Sequence, residues 1–422
     1  MRDVYPDQAQ WWQRMEWKLA DTLRRYGYGE IRTPMLEPTE LFARSIGEET
    51  DIVEKEMYTF QDRDGSSLTL RPEGTASVVR SYIENNQWKK EPVSRYYYLG
   101  PMFRHERPQK GRFRQFSQVG VELIGSLEPA ADVEMIDVMV ECIGAIGLKD
   151  TSLQLNSLGC AKCRPGYRDS LVSYLQKNRE SLCENCQRRL ETNPLRVLDC
   201  KEEACSHIAD GAPKILDVLC ENCAGHFQTV RRGLDSLALE YHINHRMVRG
   251  LDYYTRTTFE LLAAGLGAQN AVAGGGRYDD LVKMLGGPEI PAIGFAAGLD
   301  RILLKLQETI PEPAALPTIF MVTRGGEAWR ASLELMRELR RTGVQVCSDV
   351  RQGSMKSQMK QADRRGARFV LVLGEDELAS GQVTVKDMHA EAGSDQKQVQ
   401  IPREELHRHL LQRLGLLEGM AR

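Results

Sequence analysis

The sequence predicts an α+β protein that has an antiparallel sheet in a large first domain and ends in a small α/β domain. Three observations predict this. Strand patterns joined by hairpins and separated by helices fill residues 1–313, a cysteine-rich stretch interrupts them at about 159–225, and strands alternate with helices over 317–422. The proline-rich stretch QETIPEPAALP between the two parts has the composition of a linker. We therefore expect two domains, the first of which carries a helical insertion.

The composition is that of an ordinary globular protein: 422 residues, 27% charged and 41% hydrophobic, with a formal net charge of -3. A dedicated nucleic-acid binder is usually basic overall, so contacts with nucleic acid would come from local patches. No apolar run has the length of a membrane span, and the first residues lack a signal-peptide core. We expect a cytoplasmic protein with no membrane contact, whose ten cysteines are reduced thiols or metal ligands.

The first predicted elements are a helix, a strand and a strand–turn–helix unit. Apolar residues recur at helical spacing over residues 8–26, and two glycines close that helix. EIRTPMLEP reads as a strand in which Pro34 favours an edge or an interface position. SSLTLRPEGTASVVRSYI then reads as strand, turn and helix, with the turn at 71–74.

A predicted hairpin carries a concentration of charge. YYYLGPMF and FRQFSQVGVELIG read as strands on either side of the loop FRHERPQKGRFR, which holds five cations. Such runs are usually solvated turns, but guanidinium forks also match phosphate oxygens. In the second strand, alternation places Gln118 and Glu122 on one face, with Gly120 leaving space between them, and apolar residues on the other. The polar face is either a solvated outer face or the wall of a site.

Three later segments place residues suited to ligand binding or catalysis near the ends of predicted strands. MVRGLDYYTRTTFELLAAG reads as a strand, and Arg249, Tyr253 and Tyr254 stand at its entrance, where a purely structural strand needs no cation. AGGGRYDDLVKMLGG has three consecutive glycines, which suit either a close approach to a ligand or a tight turn. In PAIGFAAGLDRILLKL, Gly298 ends a strand and Arg301 lies in the first turn of a helix, where a cation requires an anionic or π partner.

Eight of the ten cysteines lie between Gly159 and Ala224. They form three C-x₂-C pairs and one looser pair: Cys160 and Cys163, Cys183 and Cys186, Cys220 and Cys223, and Cys200 and Cys205. Two thiolate pairs can complete a tetrahedral zinc site. The pattern is compatible with one or two structural Zn²⁺ sites, or with reduced thiols packed inside the insertion.

Together these segments resemble the class II aminoacyl-tRNA synthetases. EIRTPMLEP is similar to their first signature, which lies at the dimer interface, FRHERP followed by FRQFSQVGVE to the second, and GFAAGLDRI to the third. RGLDYYTRTTFEL and GGGRYDDLV resemble the two segments peculiar to histidyl-tRNA synthetases. The likeness covers almost the whole chain in the right order, and the final α/β domain resembles the family's anticodon-binding domain.

The resemblance implies an enzyme that activates L-histidine with ATP, releases pyrophosphate, and transfers histidine from the adenylate to the 3′ end of tRNA-His. It implies a homodimer and Mg²⁺ bound with ATP. Zn²⁺ in the cysteine-rich insertion would only stabilise the insertion, since members of the family exist that lack most of these cysteines.

The resemblance also implies site residues. Arg249 and Arg104 would be catalytic and would bear on the α-phosphate. The implied histidine-binding residues are Glu73, Gly74, Thr75, Gln118, Glu122, Tyr253, Tyr254 and Tyr278. The implied ATP-binding residues are Arg104, Arg112, Gln118, Arg249, Gly298 and Arg301.

Within these sets, Tyr254 and Glu122 would hydrogen-bond the imidazole ring, and Glu73 would bind the α-ammonium group. Arg301 would stack on adenine. Arg107 and Lys110 would instead contact the acceptor stem of tRNA.

Two alternatives remain open at this point. One is a non-catalytic histidine-binding protein of the kind that regulates ATP phosphoribosyltransferase, which lacks the anticodon-binding domain. The other is a synthetase for another amino acid, such as threonine or proline, against which RGLDYYTRTTFEL argues.

Overall fold

The structure is a computed structural model that describes residues 2–47, 50, 52–106, 111–248, 253–265, 270–311, 318–391 and 397–415. The chain divides into two units, Met1–Glu312 and Pro313–Arg422. Each unit has its own sheet and its own core. Within the described ranges, no helix has both the length and the apolar character needed to cross a membrane.

The regular elements follow in chain order. The strands are β1 (Gly29–Glu30), β2 (Leu36–Pro38), β3 (Tyr58–Gln61), β4 (Ser67–Leu70), β5 (Ser94–Phe103), β6 (Gln115–Ile124), β7 (Thr151–Ser157), β8 (Tyr241–Ile243), β9 (Thr255–Ala263), β10 (Ala271–Arg277), β11 (Ala292–Gly298), β12 (Thr318–Thr323), β13 (Gln345–Ser348), β14 (Phe369–Leu373), β15 (Gln382–Asp387) and β16 (Gln398–Pro402). The α-helices are α1 (Pro6–Arg25), α2 (Thr39–Ile46), α3 (Thr75–Glu84), α4 (Pro129–Ala145), α5 (Arg164–Lys177), α6 (Glu184–Thr192), α7 (Glu203–Asp210), α8 (Glu221–Ser236), α9 (Leu281–Met284), α10 (Leu299–Thr309), α11 (Gly326–Arg341), α12 (Met355–Arg364), α13 (Glu375–Ser380) and α14 (Arg403–Arg413).

The first unit is built on an eight-stranded sheet in the order β1-β5-β6-β11-β10-β9-β7-β8. Pairing is antiparallel from β5 through β7, and β1 and β8 add parallel partners at the two edges. The predicted antiparallel fold is therefore confirmed. Because β6, β11, β10 and β9 are consecutive neighbours, segments far apart in the sequence lie side by side at the centre of the sheet.

One face of this sheet is covered by α1, α4 and α8. Helix α1 starts at Pro6, whose fixed φ suits a first helical turn. Its buried side chains include Trp11, Met15 and Leu19, which recur every four residues and form one stripe. On β6, the apolar residues Val119, Val121 and Leu123 enter the same core, as the alternation predicts.

The predicted strand EIRTPMLEP is wrong as a single element. The structure has two short strands, β1 and β2, with residues 31–35 outside any strand. Pro34 explains the break, because it has no N–H to donate and it restricts the residue before it. Strand β2 instead joins β4 and β3 in a separate three-stranded antiparallel sheet.

The cysteine-rich segment lies between β7 and β8 and is helical, as the predicted fold requires. Helices α5, α6 and α7 and three short 3₁₀ turns build it, and α8 returns the chain to the main core. Tyr167, Leu171, Leu175 and Leu190 form its own small core together with Cys186, Cys200 and Cys205. This cluster is separate from the core of the main sheet.

The second unit has a five-stranded sheet in the order β13-β12-β14-β15-β16. The predicted succession of β12, α11, β13, α12 and β14 is confirmed, with β12 parallel to both of its neighbours. Ile319 and Met321 face a core with α11 and α14, whereas Phe320 and Val322 face α12. Helices thus cover both faces, which explains the continuous apolar run of TIFMVT.

A buried ionic group joins α4 to the end of β10. The fully buried Arg277 contacts the carboxylate of the equally buried Asp132 at 2.6 and 2.7 Å, and His226 Nε2 lies 3.1 Å from the other oxygen of Asp132. The guanidinium group also donates to the carbonyl oxygens of Ser126 and Glu128. All three nitrogens of this guanidinium group are therefore hydrogen-bonded, which makes its burial tolerable.

Replacing Arg277 by methionine should leave the buried carboxylate of Asp132 without its positively charged guanidinium partner. We expect a loss of about 3–5 kcal/mol in the free energy of unfolding, measured by urea denaturation, since removal of one partner leaves an uncompensated buried charge. The control Arg25→Met removes the exposed ion pair with Asp21 and should cost no more than about 1 kcal/mol. Equal stability losses in the two variants would contradict this assignment.

Candidate active site

The hairpin of β5 and β6 organises the candidate site. Between the two strands, the structure describes residues 104–106 and 111–114. The backbone N–H of Arg104 donates to the carbonyl oxygen of Arg114 at 2.9 Å. Arg112 precedes β6 instead of lying within it, because the strand starts only at Gln115. The predicted site residue Arg249 lies outside the described residues, as do Arg107 and Lys110.

A pocket of about 570 Å³ opens beside this hairpin; we call it the arginine pocket. It is bounded by the hairpin, by the start of β10 and by the junction of β11 with α10. Its lining residues are Arg104, Glu106, Gly111, Arg112, Phe113, Phe116, Ala271, Val272, Gly298, Asp300 and Arg301. Every described residue of the predicted ATP-binding set except Gln118 is among them.

Fixed contacts hold the cations of the arginine pocket in place. Arg104 Nε donates to the carbonyl oxygen of Pro72 at 2.9 Å, and its guanidinium group lies 5.4 Å from the ring centre of Phe116. Arg112 donates to Glu106 at 3.1 Å, and Arg301 donates to the carbonyl oxygen of Ala271 at 2.9 Å. Such anchored guanidinium groups, next to two phenylalanine rings, suit a ligand with a flat ring and phosphates.

The start of α10 is tied to β6 by Asp300. Its carboxylate accepts a hydrogen bond from the backbone N–H of Ser117 at 2.7 Å and from Arg2 at 3.4 Å. Arg2 also lies over the ring of Phe113, 4.7 Å from its centre. No role was predicted for these residues from the sequence. Their contacts fix Gly298 and Arg301 relative to the strand that carries Gln118.

Glu122 lies at the opposite end of β6 and is 1% exposed. Thr75 Oγ1 donates to one of its oxygens at 2.7 Å, and the Tyr278 hydroxyl donates to the other. Burial raises the pKa of Glu122 to about 8, although these two hydrogen bonds oppose the shift. The interpretation of this face of β6 as a solvated outer face is therefore wrong, because both Glu122 and Gln118 are buried.

The floor beneath Glu122 is made of glycine. Glu122 pairs with Gly294 of β11, which pairs with Gly276 of β10. A Cβ atom on Gly294 would collide with the Glu122 carboxylate, so only glycine leaves room for this group. The glycine run itself lies within β10 and not in a tight turn, and a Cβ atom on Gly276 would lie 3.0 Å from the ring of Tyr254.

Four tyrosines lie in one buried cluster, and one of them, Tyr278, binds this carboxylate; we call Tyr98, Tyr253, Tyr254 and Tyr278 the tyrosine cluster. The rings of Tyr253 and Tyr254 are 4.8 Å apart between centroids, and Tyr278 lies 5.5 Å from Tyr253. Sequence reasoning missed Tyr98, although its partner across the hairpin, Gly120, is a signal that a large ring occupies the adjacent space.

The turn before α3 closes the tyrosine cluster on another side. Glu73 is buried and accepts hydrogen bonds from the backbone N–H groups of Thr75 and Ala76, at 2.6 and 2.9 Å. Burial raises the pKa of Glu73, with these hydrogen bonds and the charge of Arg104 acting in the opposite direction. Arg104 holds the carbonyl oxygen of the adjacent Pro72, so the same turn borders the arginine pocket.

Gln118 lies between the two parts of the site. It is on the same face of β6 as Phe116 of the arginine pocket and Glu122 of the tyrosine cluster. Its Oε1 atom is buried and has no hydrogen-bond partner among the described residues, and the same holds for the Tyr98 hydroxyl. Unpaired buried polar atoms are costly, so these two atoms need partners that the described residues do not supply.

The eight cysteines of the insertion form two groups of four. We call Cys160, Cys163, Cys220 and Cys223 the base cluster and Cys183, Cys186, Cys200 and Cys205 the middle cluster. Within each group, all sulfur atoms lie within 4.8 Å of one another. None of the ten cysteines, all of which are described, forms a disulfide bond. Each group has the ligand set of a tetrathiolate metal site.

Comparisons with known proteins agree with the arrangement of these segments. The family model described as Histidyl-tRNA synthetase matches residues 1–302, and the model described as Anticodon binding domain matches residues 319–413. The histidine–tRNA ligase of Syntrophotalea carbinolica is 51% identical over 388 residues, which is 92% of each chain. That of Geobacter metallireducens is 50% identical over 393 residues, 93% of this chain and 95% of the relative.

Among solved structures, the apo histidyl-tRNA synthetase of S. aureus matches with a TM-score of 0.80 and 37% identity, over 97% of both chains. Both the family model and the relatives cover most of the sequence. The chain therefore belongs to the histidyl-tRNA synthetase family.

Proposed function

We propose that the chain activates L-histidine with ATP in the site formed by the arginine pocket and the tyrosine cluster, and then transfers histidine to tRNA-His. One observation carries this proposal: a single face of β6 bears Phe116, Gln118 and Glu122 in succession. Phe116 and Glu122 are six residues apart, about 20 Å along a strand. This length suits an adenylate with its base at one end and its imidazole ring at the other.

Histidine recognition is proposed to centre on Glu122. Neutral imidazole presents one N–H donor and one acceptor nitrogen. The ionised carboxylate of Glu122 would accept from the N–H, and a tyrosine hydroxyl, that of Tyr254 in the sequence-based assignment, would serve the other nitrogen. Glu73, Gly74 and Thr75 would bind the α-ammonium group, and the unpaired Oε1 of Gln118 offers a further acceptor for it.

The chemistry needs no nucleophilic side chain. An oxygen of the histidine carboxylate attacks the α-phosphorus of ATP, the bond to the bridging oxygen breaks, and pyrophosphate leaves. Arg104 and Arg249 are proposed to stabilise the negative charge that develops at the α-phosphate, because fixed cations in a partly dry site need little reorganisation. In the second step a ribose hydroxyl of tRNA attacks the histidyl carbonyl carbon, and AMP leaves.

Mg²⁺ is proposed to enter with ATP. It prefers oxygen ligands and keeps several waters, so phosphate oxygens and one carboxylate are enough to hold it. Glu106, which pairs with Arg112, lines the arginine pocket and is the carboxylate proposed to contribute, because both oxygens of Asp300 already accept hydrogen bonds, from the Ser117 N–H and from Arg2. When bound, the ion neutralises phosphate charge and assists the departure of pyrophosphate. Zn²⁺ is the proposed metal of the cysteine-rich insertion, because four thiolates favour it.

The partners follow from the same assignment. The second unit is proposed to bind the anticodon arm of tRNA-His, within a domain at 317–422. A homodimer is proposed because Trp17, Met35 and Leu36, at or near the first signature, are 63%, 49% and 44% exposed; sedimentation equilibrium would measure the assembly. A cytoplasmic location is also proposed.

The regulatory alternative is not favoured. Relatives about 50% identical over more than nine-tenths of the chain are histidine–tRNA ligases, and the second unit matches an anticodon-binding family.

The proposed activity predicts which amino acid the chain activates. In ATP–pyrophosphate exchange with each of the twenty amino acids, only histidine should support rapid exchange, because only imidazole matches the polar groups around Glu122. An Arg249→Ala variant should lose about two orders of magnitude or more in kcat. Exchange with threonine or proline, or no exchange with any amino acid, would refute the proposal.

The burial of Glu122 predicts a pH dependence. Its pKa of about 8 means that the carboxyl group is largely protonated below that pH in the empty site, and protonation replaces the charged acceptor for the imidazole N–H by a weaker, neutral one. Histidine should therefore bind more tightly as pH rises through about 8, seen as a falling KM for histidine between pH 6.5 and 9.

The variant Glu122→Gln should raise KM for histidine and lose this pH step. The KM of the variant divided by the KM of the wild type at each pH is free of the effect of histidine's own titration, because that effect is the same for both proteins. Glu289→Gln, which alters an exposed ion pair, serves as the matched control and should keep the wild-type profile. A Glu122→Gln variant with an unchanged profile would show that Glu122 does not contact the imidazole ring.

Because the arginine pocket and the tyrosine cluster are separate, substitutions in the two should change KM for ATP and KM for histidine independently. Replacing Arg301 by alanine should raise KM for ATP by about tenfold or more, the size of a lost cation–π or phosphate contact, while KM for histidine changes less than about twofold. Arg14→Ala, on the exposed face of α1, is the control. A selective effect of Arg301→Ala on KM for histidine would reverse the assignment of the two pockets.

A further inference from the structure

We propose that the insertion binds two Zn²⁺ ions with different consequences: the ion in the base cluster positions the segment that carries Tyr253 and Tyr254, and the ion in the middle cluster only stabilises the insertion. The proposal rests on the proposed function, because its kinetic readout is the affinity for histidine. The sequence left open which cysteine pairs combine, and whether one site or two would form.

The sulfur positions fit metal binding. In a tetrahedral site with Zn–S distances of about 2.3 Å, neighbouring sulfur atoms are separated by about 3.8 Å. In the base cluster, Cys160 Sγ lies 3.7 Å from Cys163 Sγ and 3.9 Å from Cys220 Sγ. In the middle cluster, Cys183 Sγ lies 3.9 Å from Cys200 Sγ. Both groups are therefore already close to the spacing that a bound ion imposes.

The backbone around the sulfurs also favours thiolates. The N–H of Cys220 donates to Cys163 Sγ, and the N–H of Cys183 donates to Cys205 Sγ, each at 3.2 Å. Cys163, Cys183 and Cys220 each stand immediately before a helix, so each of these C-x₂-C pairs lies at a helix N-terminus. Donated hydrogen bonds and the positive end of a helix both stabilise negative sulfur.

The base cluster is joined directly to the segment of the tyrosine cluster. Residues 158 and 159 exchange backbone hydrogen bonds with Arg256. The N–H of Leu158 donates to the carbonyl oxygen of Arg256 at 2.7 Å, and the N–H of Arg256 donates to the carbonyl oxygen of Gly159 at 2.8 Å. Cys160 is the next residue. Gly159 has a φ of +62°, and a Cβ there would lie 2.7 Å from Cys163 Cβ, so the chain is pressed against the cluster.

A side chain provides a second connection. Arg164 follows Cys163 directly and donates to the carbonyl oxygens of Leu158 and Tyr254. Leu158 itself lies in the same buried cluster as the four tyrosines. Because Arg256 adopts a left-handed φ of 48°, the backbone after Tyr254 depends on such contacts to hold its course.

The middle cluster has different surroundings. Cys186, Cys200 and Cys205 are buried among the leucines of the insertion core, in which α5, α6 and the 3₁₀ turn 194–197 pack on one another. The apolar side chain of Val248 packs against both this core and the cluster that contains the tyrosines. An ion there would tie together α6, α7 and the loop between them. Its loss should therefore loosen the insertion without a direct effect on Tyr254.

Two double variants of the full-length chain separate the roles. Metal analysis of the purified wild type should find two zinc ions per chain, and Cys160→Ser/Cys220→Ser and Cys183→Ser/Cys200→Ser should each retain one. In ATP–pyrophosphate exchange, the base-cluster variant should show at least a tenfold higher KM for histidine, with KM for ATP within twofold. The middle-cluster variant should keep both KM values within twofold but unfold at a lower temperature.

A third variant keeps every cysteine. Arg164→Ala should retain two zinc ions and still raise KM for histidine several-fold, whereas the exposed Arg168→Ala on the same helix should change neither quantity. This variant decides the coupling even if the base-cluster variant fails to fold.

The outcomes are distinct. Wild-type protein that contains no zinc and takes up none from added Zn²⁺ overturns the metal assignment. A base-cluster or Arg164→Ala variant with an unchanged KM for histidine overturns the coupling. Absence of histidine-dependent exchange in the wild type refutes the proposed function instead, while the zinc count still tests the sites.

Discussion

The site depends on one buried carboxylate that three separate segments hold in place. Glu122 comes from the centre of the sheet, Thr75 from the first turn of α3 and Tyr278 from the residue after β10, and the two hydroxyl groups donate to its two oxygens. A buried carboxyl group without such donors would be strongly destabilising. The contact therefore fixes the LRPEGT turn and the glycine-rich strand relative to β6, and the geometry of the tyrosine cluster follows from it.

Small residues give this carboxylate its space. Gly294 on the neighbouring strand lies beneath Glu122, and Gly120 and Gly74 make room for the ring of Tyr98. A sheet normally gains stability from side chains that pack across its surface, and glycine forgoes that gain. The centre of this sheet instead exposes a floor of backbone on which polar groups and tyrosine rings stand. The loss is offset on the opposite face, where Val119, Val121 and Leu123 pack in the main core.

The sequence predicted the parts of the site that depend on local periodicity. Alternation along β6 placed Gln118 and Glu122 on one face, and the α/β unit followed from its alternating elements. It could not predict that Pro34 divides a strand between two sheets, or that Arg277 is fully buried against Asp132, because these depend on pairing and packing between segments that are distant in the sequence. The pairing of the cysteines was undetermined for the same reason. Four C-x₂-C or similar pairs allow several combinations, and only the path of the chain brings the first and last pairs together.

The polar lining of the tyrosine cluster has a consequence for selectivity. An apolar pocket discriminates weakly between side chains of similar size, whereas a pocket of buried hydrogen-bonding groups rejects a ligand that leaves them unpaired, often by four orders of magnitude or more. Gln118 Oε1 and the Tyr98 hydroxyl are already buried without partners among the described residues, and Glu122 is held by donors from the protein alone. A ligand of similar shape but without ring nitrogens would leave the polar groups facing the ring unpaired, at about 1–3 kcal/mol for each. Discrimination by the tyrosine cluster would thus arise from the desolvation that the fold already imposes on its polar groups.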